Sequence, residues 1–262
     1  MKELVQQAFR AFGVDIRKYR EPPDPLEPFK DLTAEQQKII AAANPYGLPS
    51  NGQPKTLVVL EGLAALVNAT TQIATHKIPG DIAECGVWRG GSMMIAALTL
   101  LSKGDTSRDL YLYDTFEGMP PPTDNDKRFD GQTASHLMEY DPKGTGIWCY
   151  ATLEEARENL FSTGYPKEKI HFVKGKVQDT IPKTLPSSLA LLRLDTDWYE
   201  STKHELTHLF PLLNKGGVLI FDDYGFWQGQ RKAVDEFFPW QGENIVLHRV
   251  GYSGRIGVRV GS

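Results

Sequence analysis

The sequence predicts an α/β fold built on a mostly parallel, doubly wound sheet. Three observations carry that prediction. From Asp81 onward, short apolar runs alternate with helical patterns, the pattern of parallel strands joined by crossover helices. Most of those runs close on a glycine or a carboxylate, the residue types that gather where such sheets bind ligands. The 262 residues are 40% hydrophobic and 24% charged, which suits a globular domain of the size a single α/β unit reaches.

The elements follow in order. Within residues 1–12, Leu4, Val5, Ala8, Phe9 and Phe12 recur at helical spacing and predict a short amphipathic helix. A connector with Pro22, Pro23, Pro25 and Pro28 follows. Thr33 is placed to cap a helix over 34–43, with Gln36 completing a capping box. Residues 44–54, rich in Asn, Gly and Pro, read as a loop, and 57–76 as a longer helix. Residues 81–85 form the first strand, followed by Gly86, the pair Gly90–Gly91 and a helix over 92–102. The second strand, 110–113, ends in Asp114. Residues 115–150 include Pro120, Pro121 and Pro122 and show little periodicity, which reads as a lid or binding loop. A helix over 153–162 leads to a third strand, 170–173, ending at Lys174–Gly175. The fourth strand, 189–194, ends in Asp195-Thr196-Asp197. A helix over 200–213, stopped by Gly216–Gly217, leads to a fifth strand, 218–221, ending in Asp222–Asp223. A helix over 230–237 and two last strands, near 245–249 and 255–260, complete the chain.

Composition excludes several functions. Lys plus Arg is 29 and Asp plus Glu is 33, a net charge of −4, which argues against a nucleic-acid binder held by phosphate neutralisation. Cys85 and Cys149 form no CxxC pair, so neither a disulfide scaffold nor a cysteine zinc site is expected. The N-terminus lacks the apolar core of a signal peptide. No apolar run approaches the ~18 residues of a membrane helix. A soluble, cytoplasmic protein with no membrane partner is expected.

The chemistry is expected at the carboxyl ends of the strands. The loop E-C-G-V-W-R-G-G-S opens a helix with glycines that let backbone approach a ligand, although its spacing is not GxGxxG. Asp114, ending the second strand, stands where an acid can accept both hydroxyls of a ribose. Together they predict an adenosine-containing cofactor. Asp195, Asp222 and Asp223 end adjacent strands ~4.8 Å apart and can reach one ion. An all-oxygen ligand set suits Mg²⁺, Mn²⁺ or Ca²⁺ rather than zinc. Arg193 interrupts an apolar strand, and a buried arginine is normally paired, with a neighbouring acid the expected partner. His204-Glu205-Leu206-Thr207-His208 fits the HExxH pattern of zinc peptidases. The apolar stripe of Leu206, Leu209, Phe210 and Leu213, however, places both histidines on the solvent side, so a zinc site is not expected. Trp198, Tyr199, Tyr224, Phe226 and Trp227 follow the acids, where they can stack on a sugar or planar acceptor or serve as packing.

The segments AECGVWRGGS, LYDTFEGMP, RLDTDWYESTK and GGVLIFDDYGFWQGQRKAVDEF resemble the macrocin O-methyltransferase family, with the likeness running over residues 57–238. That family uses S-adenosylmethionine and Mg²⁺ to methylate sugar hydroxyls on glycosylated natural products. The resemblance implies a Rossmann-like class I methyltransferase fold, a seven-stranded mostly parallel sheet with an N-terminal helical cap. Residues 1–56 would form that cap and a lid loop, and 57–262 the methyltransferase domain. It implies that Glu84, Gly86, Val87, Trp88, Arg89, Gly90, Gly91, Ser92, Asp114, Thr115, Phe116, Gly118 and Met119 line the S-adenosylmethionine pocket, with Gly175 and Val177 beside adenine. Asp195, Asp222 and Asp223 would hold Mg²⁺ or Mn²⁺, and Asp197 would be the general base. The implied partners are a sugar-bearing small-molecule or glycan acceptor and a second copy of the chain in a homodimer. The competing readings are a metal-dependent nucleotide enzyme on a similar sheet, which would want a phosphate-binding loop that is missing, and a sugar- or nucleotide-binding module without turnover.

Overall fold

The computed structural model describes residues 29–43, 45, 53–141, 148–241 and 245–260. The chain divides into two compact units, Met1–Asp31 and Leu32–Ser262, and the description here is of the second. The helix expected over 1–12 and the proline connector lie outside the described residues, as does most of the loop expected over 44–54.

Seven strands form one sheet in the order β3-β2-β1-β4-β5-β7-β6. They are β1 (Asp81–Cys85), β2 (Leu110–Asp114), β3 (Ile170–Lys174), β4 (Leu189–Leu194), β5 (Leu213–Phe221), β6 (His248–Val250) and β7 (Gly254–Val258). The first five run parallel, and β7 and β6 add an antiparallel edge. All six residues of β4 are buried, as a central strand covered on both faces requires. Strand order reverses between β1 and β4, so the crevice beyond their carboxyl ends is the topological switch point where such sheets bind ligands. Register sets the chemistry there: Glu84 of β1 lies directly beside Arg193 of β4.

The helices are α1 (Ala34–Ala42), α2 (Leu60–Thr75), α3 (Gly91–Ser102), α4 (Ala134–Tyr140), α5 (Leu153–Phe161), α6 (Val177–Thr180), α7 (Tyr199–Leu209) and α8 (Gln228–Gln241). The capping box of α1 forms as its sequence predicts, with Gln36 N–H on Thr33 Oγ1 at 3.2 Å and Thr33 N–H on Gln36 Oε1 at 2.9 Å. None of the helices among the described residues is long and apolar enough to cross a membrane.

The structure differs from the sequence reading in three places. The helix expected to end at Gly216–Gly217 stops earlier, at Leu209, and a 3₁₀ turn containing Pro211 carries the chain directly into β5. The glycine pair therefore lies inside the strand, where Gly216 has φ 79° and donates its N–H to Arg259 O. The last two strands are shorter than expected and α8 is longer.

The third difference is the segment 115–150, read as structureless. It contains α4, capped by Thr133, and much of it is fastened to the sheet's carboxyl edge. Fully buried Asp126 accepts Thr123 N–H and Oγ1–H on one oxygen and Tyr199 N–H, the first amide of α7, on the other. Trp198 Nε1–H donates to Pro120 O, and Gln228 N–H to Lys127 O. These are side-chain and single backbone bonds between distant loops, and they leave no periodicity to read. Asp126→Ala removes a charged acceptor from three donors. It is expected to lower stability by about 2–3 kcal/mol, measured by urea unfolding.

Candidate active site

A cavity of about 640 Å³ opens at the switch point, walled by the loops after β1, β2, β3, β4 and β5, by residues 55–58 and by part of the lid. Its two halves touch at Gly86, which has φ 85°. A Cβ there would collide with the carbonyl oxygen of Asp195, so only glycine lets the loops after β1 and β4 pass this closely. Asp195 N–H donates to Cys85 O at 2.8 Å and completes the seam.

Asp114 organises the glycine loop. Its Oδ2 accepts Val87 N–H at 2.7 Å and Trp88 N–H at 2.9 Å, and its Oδ1 accepts Phe116 N–H at 2.6 Å. Thr115 Oγ1–H also lies 3.4 Å from Oδ1, so both carboxylate oxygens tie the loops after β1 and β2 together. Arg89 reaches away to Glu155 at 2.8 Å and to Pro54 O at 3.0 Å, fixing α5 and the 53–58 segment to the loop.

Beyond the seam lie the acids. Arg193 is buried, and its guanidinium bonds Glu84 Oε1 at 2.7 Å, Asp195 Oδ2 at 2.8 Å and Asp222 Oδ1 at 2.7 Å. Burial opposes the charge, but Asp195, Asp222 and Glu84 outweigh it and hold the guanidinium pKa well above its ordinary value. Burial pushes Glu84 up to about 7 despite Arg193. Oxygens of Asp195, Asp197 and Asp223 converge within 4.8 Å of one another. Burial raises all three, and the crowded carboxylates add to it, leaving Asp197 at about 7 and the other two well above the usual carboxylate range. Asp223 Oδ2 is buried with no hydrogen-bond partner, while Gln230 Oε1 accepts Asp223 N–H at 2.9 Å. Asp197 holds φ +64°, a left-handed conformation uncommon outside glycine.

The sequence and the fold have counterparts among known proteins. The family model for Macrocin-O-methyltransferase (TylF) matches residues 30–254. The chain belongs to the macrocin O-methyltransferase family. A tetracenomycin enzyme of Streptomyces olivaceus, named as an 8-demethyl-8-(2,3-dimethoxy-alpha-L-rhamnosyl)-tetracenomycin-C 4'-O-methyltransferase, is 35% identical over 70% of this chain and 67% of its own. The demethyldecarbamoylnovobiocin O-methyltransferase of Streptomyces niveus is 31% identical over 78% of this chain and 75% of its own. Among solved structures, the O-methyltransferase NovP superposes with a TM-score of 0.69 at 28% identity, over 84% of this chain and 88% of that one. The protein is an O-methyltransferase of the class I α/β fold.

Of the residues that the sequence reading assigned to the methyltransferase's cofactor, Gly86, Val87, Trp88, Gly91 and Ser92 line the cavity from the first loop. Asp114, Thr115, Gly118 and Met119 do so from the second, and Gly175 and Val177 from the third. Glu84 lies beneath, bonded to Arg193, and Arg89, Gly90 and Phe116 support the loops without lining the cavity. Asp195, Asp197, Asp222 and Asp223 all line it. The acids whose oxygens converge include Asp197, while Asp222, assigned to the metal, has one oxygen on Arg193.

Residues 55–58, Cys149, Lys176 and Tyr252 also line the cavity; residues 55–56 and Cys149 fall in segments read as lid, Leu57 and Val58 precede a helix that begins at Leu60 and not at 57, and Lys176 and Tyr252 carry no sequence signal. Cys149 is no nucleophile: burial, with Asp197 and Asp195 nearby, pushes its thiol far above the ordinary range. The HExxH pattern resolves differently from the expected pair of solvated histidines. His204 and His208 are half-buried and packed 4.5 Å apart, with His204 Nε2 on Ile181 O. Glu205 points into the core instead of joining them.

Arg193→Met is expected to lower stability by about 3–5 kcal/mol at neutral pH, because three acids lose their buried cation. Without it, Glu84 and Asp195 titrate still higher when folded than unfolded. The folded state then binds more protons, so stability falls as pH rises. Denaturant unfolding of Arg193→Met at pH 5 and pH 8 should show the larger loss at pH 8.

Proposed function

We propose that this enzyme transfers the methyl group of S-adenosylmethionine to a sugar hydroxyl of a glycosylated small molecule, with a divalent cation bound among the strand-end acids. The observation that carries the reading is the meeting, in one cavity, of a glycine loop organised by Asp114 with four carboxylates from two adjacent strands. Relatives named for a rhamnosyl-tetracenomycin and for a novobiocin precursor support the acceptor class.

The acid set fits a hard cation. Its donors are all oxygen, as Mg²⁺ or Mn²⁺ prefers, and buried Asp223 Oδ2 lacks any hydrogen-bond donor. Asp195 and Asp223 would hold the ion with the oxygen of Asp222 that Arg193 leaves free. Such an ion lowers the pKa of a nearby hydroxyl and stabilises negative charge on oxygen. Bound S-adenosylmethionine would supply the sulfonium methyl, its methyl–sulfur bond exchanged for a methyl–oxygen bond and S-adenosylhomocysteine left as the second product. Asp197, beside both proposed ligands, takes the hydroxyl proton on a carboxylate oxygen. The glycine loop and the residue 115–119 turn orient the donor, and alignment itself removes several kcal/mol of barrier.

The acceptor side is aromatic. Tyr140, Phe226, Trp227 and Tyr252 line the cavity, and exposed Phe129 packs edge-on against Phe226 at 5.7 Å. Flat faces beside carboxylates suit a sugar carried on an apolar aglycone.

The reading is tested by incubating the protein with S-adenosylmethionine, Mg²⁺ and a panel of rhamnosides and other deoxyhexosides. The expected product is an acceptor heavier by one methyl. Ligand binding without that product across the panel would leave a binding module instead. Exhaustive chelation should abolish turnover and added Mg²⁺ restore it; full activity after chelation would remove the metal. Asp197→Asn should lower kcat by roughly 10²–10⁴ with cofactor and metal affinity little changed. Loss of metal affinity in that variant would make Asp197 a ligand.

A further inference from the structure

Thr196 stands between two acids of the site, half-buried in the cavity wall, with its hydroxyl directed to α7. Its hydroxyl donates to Glu205 of α7, lying 2.9 Å from Oε1 and 3.1 Å from Oε2. Glu205 is fully buried, and among the described residues Thr196 is the one hydrogen-bond donor it has. A carboxyl group placed in a core with a single hydroxyl donor is an unfavourable arrangement that apolar packing would improve. Glu205 lies on the same helix face as Leu206 and Leu209, positions that any apolar residue would satisfy.

The bond acts on a tightly constrained turn. Asp195 is tied by its N–H to Cys85 O, Thr196 O accepts Trp198 N–H at 2.6 Å and Ser201 Oγ–H at 3.3 Å, and Asp197 follows at φ +64°. A left-handed residue with a side chain persists only where its surroundings over-determine it. Among the described residues, two bonds tie this turn to α7: Ser201 Oγ–H on Thr196 O in the first turn of the helix, and the Thr196 hydroxyl, which reaches further along it to Glu205.

We propose that Thr196 and Glu205 form a latch, a pair of positioning residues that holds the turn so that Asp195 and Asp197 face the cavity together. Neither touches the reacting atoms; both act through the acids. The inference rests on the proposed role of those acids, and the experiment separates the two. Thr196→Val keeps the shape of the side chain and removes its donor, whereas Thr196→Ser keeps the donor. Glu205→Gln keeps an acceptor oxygen for the hydroxyl.

Two readouts are taken on the full chain. Without metal, hydrogen exchange of the peptide covering residues 195–199 should quicken roughly tenfold or more in Thr196→Val, with the central strands unchanged. By calorimetry, Mn²⁺ should bind about 10-fold or more weakly to Thr196→Val, while S-adenosylhomocysteine binds as to the wild type. Thr196→Ser and Glu205→Gln should behave as wild type in both, and Thr196→Ala should reproduce the Thr196→Val split if the valine variant folds poorly. Wild-type exchange in Thr196→Val overturns the latch, as does a Thr196→Ser variant as impaired as Thr196→Val. A wild-type protein that binds no Mn²⁺ sinks the metal reading, and the exchange comparison still decides the latch.

Discussion

One buried guanidinium organises the chemistry of this protein. Arg193 sits in the central strand β4 and bonds a carboxylate on each neighbouring strand and one at the end of its own. Without that cation, Glu84, Asp195 and Asp222 would face one another in a region where burial already raises carboxylate pKa values. With it, Asp195 and Asp222, which both line the cavity, are each fixed by one oxygen. Breaking such a pair exposes an uncompensated buried charge, so the network is a condition for assembling the acids at all. It also explains why Asp222 and Asp223, adjacent in sequence, differ: Asp222 is tied to the cation, and Asp223 is held by its backbone to Gln230, with a carboxylate oxygen left bare.

The same strand geometry joins the two halves of the reaction site. β1 and β4 are neighbours at the switch point, so the glycine loop and the acid turn leave the sheet side by side. Gly86 lets them pass in contact, and Asp195 N–H bonds across to Cys85 O. On the proposed reading, a donor on the glycine loop and an acceptor over the acids would be a short distance apart without any motion of the sheet. Methyl transfer is an in-line displacement, and this fixed adjacency supplies the alignment that such a step depends on most.

Much of this was legible in the sequence, and the part that was not has a common physical character. β4 coincides with its predicted span because a parallel strand buried on both faces is a near-continuous apolar run, broken here by Arg193. The capping box at Thr33 was readable because it is local in sequence. The strand-end acids were readable because topology alone puts them at one edge. What periodicity could not reveal are bonds between distant residues: Asp126 capping α7, the contact of Gly91 with Lys55, and Tyr252 arriving from the last hairpin. Arg193 lies between these cases. Its burial and its need for an acid were readable from the apolar run it interrupts, but a three-way partnership requires knowing which strands are neighbours. The histidines of the HExxH pattern show the reverse limit. Their spacing matches a metal motif, yet the apolar stripe of α7 directs Glu205 inward, so the three residues never share a site.

That inward turn of Glu205 also bears on how residues 120–126 are fastened next to the acids. α7 receives Thr196 from the acid turn, Trp198 closes its N-terminus against Pro120, and Asp126 caps its first amide. The helix is therefore the common support of the strand-end acids and of the 120–126 segment, which on the proposed reading would face the acceptor. A wall fixed in this way resists rearrangement around each new ligand, which favours discrimination among acceptors by shape. Variation in acceptor choice among relatives would then concentrate away from these anchors, in cavity-lining aromatics such as Tyr140 and Tyr252, whose side chains are exposed and can change without disturbing the acids.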